Sequence, residues 1–263
     1  MIIARLIKPE SGFYKTLAEH SKKMDNLMSF KPMTWFAVWI MMTSGTSAQQ
    51  QSVDRFSYWD MSLAFNGIVT MVIVAGIMTW IIRQEKLSFT GLTLNVSIIL
   101  KHSLLVLILF ITGWGWFTFI NGDLFVTLRS FIPYLCTYLA VLLGFQIPLN
   151  SIEEKGYQPG KSFIFITLIF SLLGVVLGIL LEDPVISTMS AVIAPFYLIA
   201  IVFPEHKRHI ERCRIYPIFI GIMFVSVRLP WVLIPSFILF FILRTYHYFR
   251  YQIVFPTFAV DHD

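Results

Sequence analysis

From position 33 to position 243 the chain alternates long uncharged runs with short polar connections. The runs are Met33 to Ala48, Met61 to Ile82, one ending at Ile120, Ser130 to Ser151, Ser162 to Leu181, Pro184 to Pro204, and Ile215 to Leu243, the last interrupted by Arg228. About 18 apolar residues suffice to cross a hydrocarbon core of about 30 Å, because an α-helix rises about 1.5 Å per residue. Arg228-Leu229-Pro230 divides the last run into two pieces that are each short for a span, but both can be lengthened by snorkelling of their outer charges. The pattern predicts two helices joined there by a tight extracytoplasmic turn, with one long tilted helix as the alternative.

The predicted fold is therefore all-α: a polytopic transmembrane bundle of about eight spans with cytoplasmic N- and C-termini. Residues 1–32 form a cytoplasmic interfacial segment, 33–250 the bundle and 251–263 a cytoplasmic tail. In the first segment Phe13, Leu17, Met24 and Met28 share one face of a helix whose remainder carries Lys15, Glu19, Lys22 and Lys23. That arrangement suits a helix lying flat on a membrane, and equally one packed on a neighbouring loop or subunit. The opening Met-Ile-Ile-Ala-Arg-Leu-Ile-Lys-Pro-Glu has too short an apolar stretch for a cleaved secretory signal.

Composition sharpens this picture. Hydrophobic residues make up 57% of the chain and charged ones only 13%, against roughly 25% charged in soluble domains, which excludes an ordinary soluble fold. A net charge of +5 points to nucleic acid in a soluble protein, but here the basic residues flank apolar runs and set topology. With the N-terminus inside, only Arg55, Arg129 and Arg228 of the 20 Lys and Arg fall outside. A seven-helix arrangement moves Arg244 and Arg250 outward and strands Arg228 in the bilayer. A bacterial-type inner (plasma) membrane is the expected location. Trp35 and Trp80 are expected at the inner interface, and Trp59, Trp114, Trp116 and Trp231 at the outer one.

Candidate chemistry is sparse. Asp54, Asp60, Asp123, Glu153, Glu154, Glu182 and Asp183 all fall in or beside loops, which disfavours proton-coupled transport. Asn66 and Gln146 are read as interhelical hydrogen-bonding groups, and Gly174 and Gly178 as a small-residue pair that lets helices approach. Pro133, Pro195, Pro217 and Pro235 are expected to bend their spans. Cys136, in an apolar run, and Cys213, in a basic loop, are expected to stay unpaired. Glu205 and His209 would share a helical face but lack a third ligand, so no metal site is expected. The basic residues around them either face anionic head groups or only fix topology. In a pigment-bearing or haem-bearing complex His102 and His247 would be the available ligands; as lone interfacial histidines they read first as hydrogen-bonded bystanders.

Two stretches carry a family resemblance. Lys31-Pro32-Met33-Thr34-Trp35 resembles the entrance to the first helix of the UbiA family of intramembrane prenyltransferases, and the closing stretch from Arg244 to Phe258 is similar to tails of its divergent members. The resemblance implies a helical bundle with an isoprenoid-sized cavity opening to the cytoplasmic loops. It also implies two aspartate-rich motifs, after the second and sixth spans, holding magnesium on a prenyl diphosphate. This chain instead has Arg83-Gln84-Glu85-Lys86 at the first position and Glu205 and Glu211 at the second, which leaves too few hard oxygen ligands for magnesium. The expectation is a degenerate member that binds an isoprenoid or other membrane lipid, with magnesium only if a prenyl diphosphate is bound. Arg83, Lys86, Lys207, Arg208 and Arg212 would hold the anionic head group in the absence of aspartates. An accessory subunit bound to partner membrane subunits and a small-molecule transporter are the alternatives; nucleic acid is not an expected partner.

Overall fold

The computed structural model describes residues 2–25, 33–83, 96–145, 161–203 and 207–254. These residues are helical with short connections. Two short helices, α1 (Ile2–Leu6) and α2 (Gly12–Lys23), precede α3 (Met33–Val53), α4 (Ala64–Arg83) and α5 (Val96–Trp114). A single-turn α6 (Trp116–Asn121) leads to α7 (Leu124–Phe145), followed by α8 (Lys161–Leu180), α9 (Pro184–Val202) and α10 (Lys207–Arg228). A 3₁₀ turn, Pro230–Val232, then connects to α11 (Leu233–Tyr251). Among the described residues, four segments are long and apolar enough to cross a membrane: Ala64–Ile81, Leu124–Gly144, Pro184–Val202 and Pro230–Tyr251. Shorter apolar stretches run through α5 and α8.

Local chemistry sets where the helices begin and end. Gly115, at φ +98°, breaks the third predicted run, so α5 stops at Trp114 instead of continuing to Ile120. Asp183 caps α9, its Oδ1 accepting from the Val185 and Ile186 amides at 3.0 and 3.4 Å, with Pro184 at the first helical position. The break at Leu229 separates α10 from α11, as Arg228-Leu229-Pro230 predicts, and the contact of Phe219 with Phe240 folds the two into a hairpin. Pro133, Pro195 and Pro217 lie inside helices. Pro235 instead falls in the first turn of α11, where its missing amide would have no intrahelical partner and bends nothing.

The centre of the bundle is α3, in which every residue from Val38 to Ala48 is buried. It packs against α5, α10, α4 and α7, while α8 lies against α7 and α9. Glycines permit the closest crossings. A Cβ on Gly45 would sit 1.9 Å from the Phe110 carbonyl oxygen, and one on Gly113 would sit 1.6 Å from that of Met42, so α3 and α5 meet backbone to backbone. Gly178 likewise meets the Ser187 backbone of α9, while Gly174 makes room for the Thr137 hydroxyl of α7 and the Ser190 side chain of α9.

The chain ends meet at one end of the bundle. Tyr14 Oη donates to the Tyr248 carbonyl at 3.0 Å, Tyr248 Oη donates to the Ile7 carbonyl, and Arg250 Nε donates to both oxygens of Asp25 at 2.9 and 3.0 Å. The buried face of α2 runs through Tyr14, Leu17, Ala18 and Ser21, whereas Phe13 and Met24, expected to share the apolar face, are exposed. This is the packed form of α2, docked on α11. The connections 54–63, 115–123, 181–183 and 229–232 gather at the opposite end, called here the turn end.

Candidate functional site

Among the described residues, two places in the bundle have room for a ligand. The first is an apolar pocket of about 40 Å³ between α3, α7, α9 and α10, lined by Ala37 and Ile40, Tyr138, Ile193, and Pro217 and Gly221. It lies on the side of the bundle centre nearer the chain ends. Its walls come from helices that proline and glycine shape: Pro217 cannot donate to the preceding turn, and Gly221 leaves the facing Ile40 side chain without a β-carbon to pack on. A volume of this size seats two or three water-sized groups, whereas a cavity of roughly 150 Å³ is needed to admit a benzene ring. Near it, His102 is buried on α5 with Nδ1 3.2 Å from the Tyr138 hydroxyl, an internal hydrogen-bonding role.

The second is the turn end, whose interior is polar. Arg228, at the turn that the sequence predicts, is fully buried. Its Nη1 donates to the Ser57 carbonyl at 3.0 Å, its Nη2 to the Arg55 carbonyl at 3.1 Å, and its guanidinium lies 4.9 Å from the Tyr58 ring centroid. The guanidinium thus substitutes for water at the carbonyls of the α3–α4 connection, which explains how a charge can be buried there. Asp183, read from the sequence as a loop residue, is also buried, and accepts a 2.8 Å hydrogen bond from Tyr134. Burial pushes its carboxyl above the usual carboxylate range, opposed by the Tyr134 hydrogen bond, by the α9 amides and by Arg228. Gln50, at the end of α3, donates to Asp60, while its Oε1, the Ser44 hydroxyl and Arg228 Nε are buried without a hydrogen-bond partner.

An open cleft of about 450 Å³ adjoins this interior, walled by the end of α3, the start of α7 and the α8–α9 turn. Arg55 and Glu182 face each other across it at 2.6 Å, Gln51 donates to the Glu182 carbonyl at 3.1 Å, and Arg129 stands on the α7 wall.

The head-group residues expected from the sequence lie at the other end. Arg83 closes α4, and Lys207 and Arg208 open α10; the side chains of all three, and Lys86 entirely, lie outside the described residues. Arg212 is exposed, while Glu211 and Cys213 beside it are buried. At 100° per residue Arg212 falls opposite the face that presents Pro217 and Gly221 to the apolar pocket, and Arg214 falls on that face.

Other expectations change in a common direction. Cys213 is not a loop thiol: it is buried in α10 and donates to the Phe196 carbonyl at 2.9 Å; it and Cys136 are separate free thiols. Trp114 and Trp231 are core residues, Trp231 lying over Gly67, while Trp59, Trp80 and Trp116 are exposed. Asn66 is exposed at the start of α4 and Gln146 lies outside the described residues; interhelical hydrogen bonds instead include those from Trp39 to the Met71 carbonyl, from Thr46 to the Gly113 carbonyl, between Thr137 and Ser190, and from Ser171 to the Ser190 carbonyl. Comparison with family models, with curated proteins and with solved structures finds no match to this chain.

Proposed function

We propose that the chain is an eight-span membrane protein with both termini in the cytoplasm, and that it binds an apolar, isoprenoid-like chain without transferring it. Eight helices among the described residues have 19 to 22 residues, a length of roughly 28–33 Å at about 1.5 Å per residue, which matches the hydrocarbon core. Besides the four that are apolar enough alone, α5 and α8 contain apolar stretches, and α3 and α10 are the helices most shielded from lipid. Shielding accounts for the hydroxyls and amides of α3, which face protein in place of lipid, while the polarity of α10 is concentrated in the charged residues of its first two turns and in Arg228 at its end. The distribution of Lys and Arg supports the inward orientation of the termini.

The observation that carries the ligand reading is the apolar pocket shared by four helices. Its volume seats only the branched end of a chain, a few heavy atoms, and the rest of the molecule lies between helices or in lipid. Binding without transfer follows from the sequence, since Arg83 to Lys86, Glu205 and Glu211 stand where magnesium-binding aspartates would be needed.

Two experiments test these statements separately. A reporter fused after Asp263 should be active in the cytoplasm, and activity on the far side of the membrane would remove the eight-span arrangement. Mass spectrometry of lipids extracted with the purified protein should find an isoprenoid that Gly221→Leu loses, because the new side chain fills the pocket against Ile40. A variant that melts like wild type and keeps the same lipid would overturn the pocket as its site.

A further inference from the structure

The three arginines that the orientation rule leaves outside are brought together by the fold. Arg55 and Arg129 line the cleft at the turn end, and buried Arg228 donates to the carbonyl of Arg55, fixing the backbone that carries it. Arginine on the extracytoplasmic side works against the charge bias that orients the helices, so topology does not account for these residues. Each has a local task instead.

Arg228 is held by backbone carbonyls and Arg55 by Glu182, but Arg129 is exposed and has no hydrogen-bond or ion-pair partner among the described residues. Glu182 itself is held in a left-handed conformation at φ +55°, which a non-glycine residue adopts at a cost of about 1 kcal/mol or more. That conformation places its carbonyl within reach of Gln51 and its carboxylate within reach of Arg55. The cleft therefore carries two guanidinium groups and one carboxylate, a surplus of one positive charge.

The apolar surroundings indicate what neutralises it. Val53 and Leu180 are exposed at the rim, and the exposed side chains of Leu172, Val176 and Ile179 run along α8 beneath them at helical spacing. A molecule with a singly charged phosphodiester in the cleft and acyl chains along α8 satisfies both features. We infer that this cleft binds the phosphodiester head group of an anionic lipid in the leaflet at the turn end, with Arg129 as the principal phosphate ligand. The name of that leaflet, extracytoplasmic, and the statement that topology does not account for the three arginines rest on the eight-span reading; the charge surplus and apolar rim of the cleft do not.

Native mass spectrometry of the full chain, released from detergent micelles doped with phosphatidylglycerol, tests the assignment. Arg129→Gln should weaken phosphatidylglycerol retention by about tenfold, the equivalent of one lost charged hydrogen bond. Arg250→Gln, which removes a charge at the opposite end, should leave retention unchanged. Glu182→Gln should strengthen retention, because it raises the surplus charge of the cleft and frees Arg55; a variant that merely misfolds does not gain affinity. Retention equal in wild type, Arg129→Gln and Glu182→Gln would overturn the proposal. So would a thermal shift produced by inorganic phosphate alone, sensitive to Arg129→Gln, in protein that retains no phosphatidylglycerol, since the cleft would then serve free phosphate. The reporter fusion at Asp263 decides the orientation of the chain independently of any of these results.

Discussion

The two ends of the bundle are closed in different ways. At the turn end, closure is internal: α3 and α5 touch backbone to backbone at Gly45 and Gly113, Arg228 is buried against carbonyls, and Asp183 is buried against Tyr134. At the end carrying the chain termini, closure is external: α2 lies on α11 through Tyr14 and Tyr248, and Asp25 pairs with Arg250 where both remain partly exposed. The same residue types serve at both ends. Their energetic weight differs because water is excluded from the interior of the first, around Arg228 and Asp183, and competes at the contacts that close the second.

Glycine gives the largest expected contrast. A β-carbon at Gly113 would overlap the Met42 carbonyl, and since that atom belongs to the backbone, relief requires α3 and α5 to separate. Gly113→Ala should cost about 3 kcal/mol or more, at the upper end of overpacking penalties. The matching change near the other end, Gly144→Ala, places a β-carbon 3.1 Å from the Tyr197 ring, which can yield by a few tenths of an ångström. Thermal unfolding in detergent, followed by circular dichroism, should show a large drop for the first variant and a small one for the second. Equal drops would mean that the crossing of α3 and α5 is no tighter in energy than the rest of the bundle.

Arginine gives the second contrast. Arg228→Met removes the donor shared by the partly buried Arg55 and Ser57 carbonyls and the guanidinium that fills the buried space beside them, and is expected to cost about 2 kcal/mol. Arg250→Met removes the partner of Asp25 at a solvated surface, where the melting temperature should move little. If the two variants melt together, the buried guanidinium is compensated by groups other than those carbonyls.

The run pattern of the sequence locates the long helices because a span must be both long and apolar, and the break between α10 and α11 is written in Arg228-Leu229-Pro230. It does not locate the interior. In a soluble protein apolarity marks the buried side, but in lipid both sides are apolar, so hydropathy does not reveal that α3 is central and α4 peripheral. The cue lies in the small and hydroxyl-bearing residues from Thr43 to Ser47, which suit protein contact better than lipid. The sequence places Arg228 at the turn and Asp183 beside a loop, where the structure has them, but their burial is not written there: only the three-dimensional arrangement of carbonyls and Tyr134 shows it. Tyr14, not Phe13, anchors α2 because its hydroxyl reaches the carbonyls at the end of α11, a contact across most of the chain that no local periodicity contains. The converging arginines of the cleft are visible in sequence only as exceptions to charge bias.

The smallest contrast is in acid dependence, and here the two ends should differ in sign. Hydrogen bonds from Arg250 and then Tyr246 hold the Asp25 carboxyl below its ordinary value of 3.8, so the folded protein favours its ionised form. Its contribution to stability is present above pH 3.8 and is lost as pH falls below that value through the folded pKa. Asp183 behaves oppositely. Burial raises its carboxyl above 3.8, so the folded protein takes up its proton more readily than the unfolded chain. The stability linked to that proton is fully present below pH 3.8 and is lost as pH rises through the higher folded value. Melting temperatures of wild type, Asp25→Asn and Asp183→Asn, taken between pH 3 and pH 7, separate the two. The change at Asp25 should flatten the loss of stability on the acid side of the window, because an amide has no ionised form for Arg250 to favour. The change at Asp183 should lower stability throughout by removing the oxygen that accepts from Tyr134 or caps α9, and should make the acid-side fall steeper, since the compensating gain from protonation is gone. Two variants with parallel pH profiles would show that the carboxylates experience the same surroundings, and the distinction between the dry interior of the turn end and the wet contact at the other end would fail at its most sensitive point.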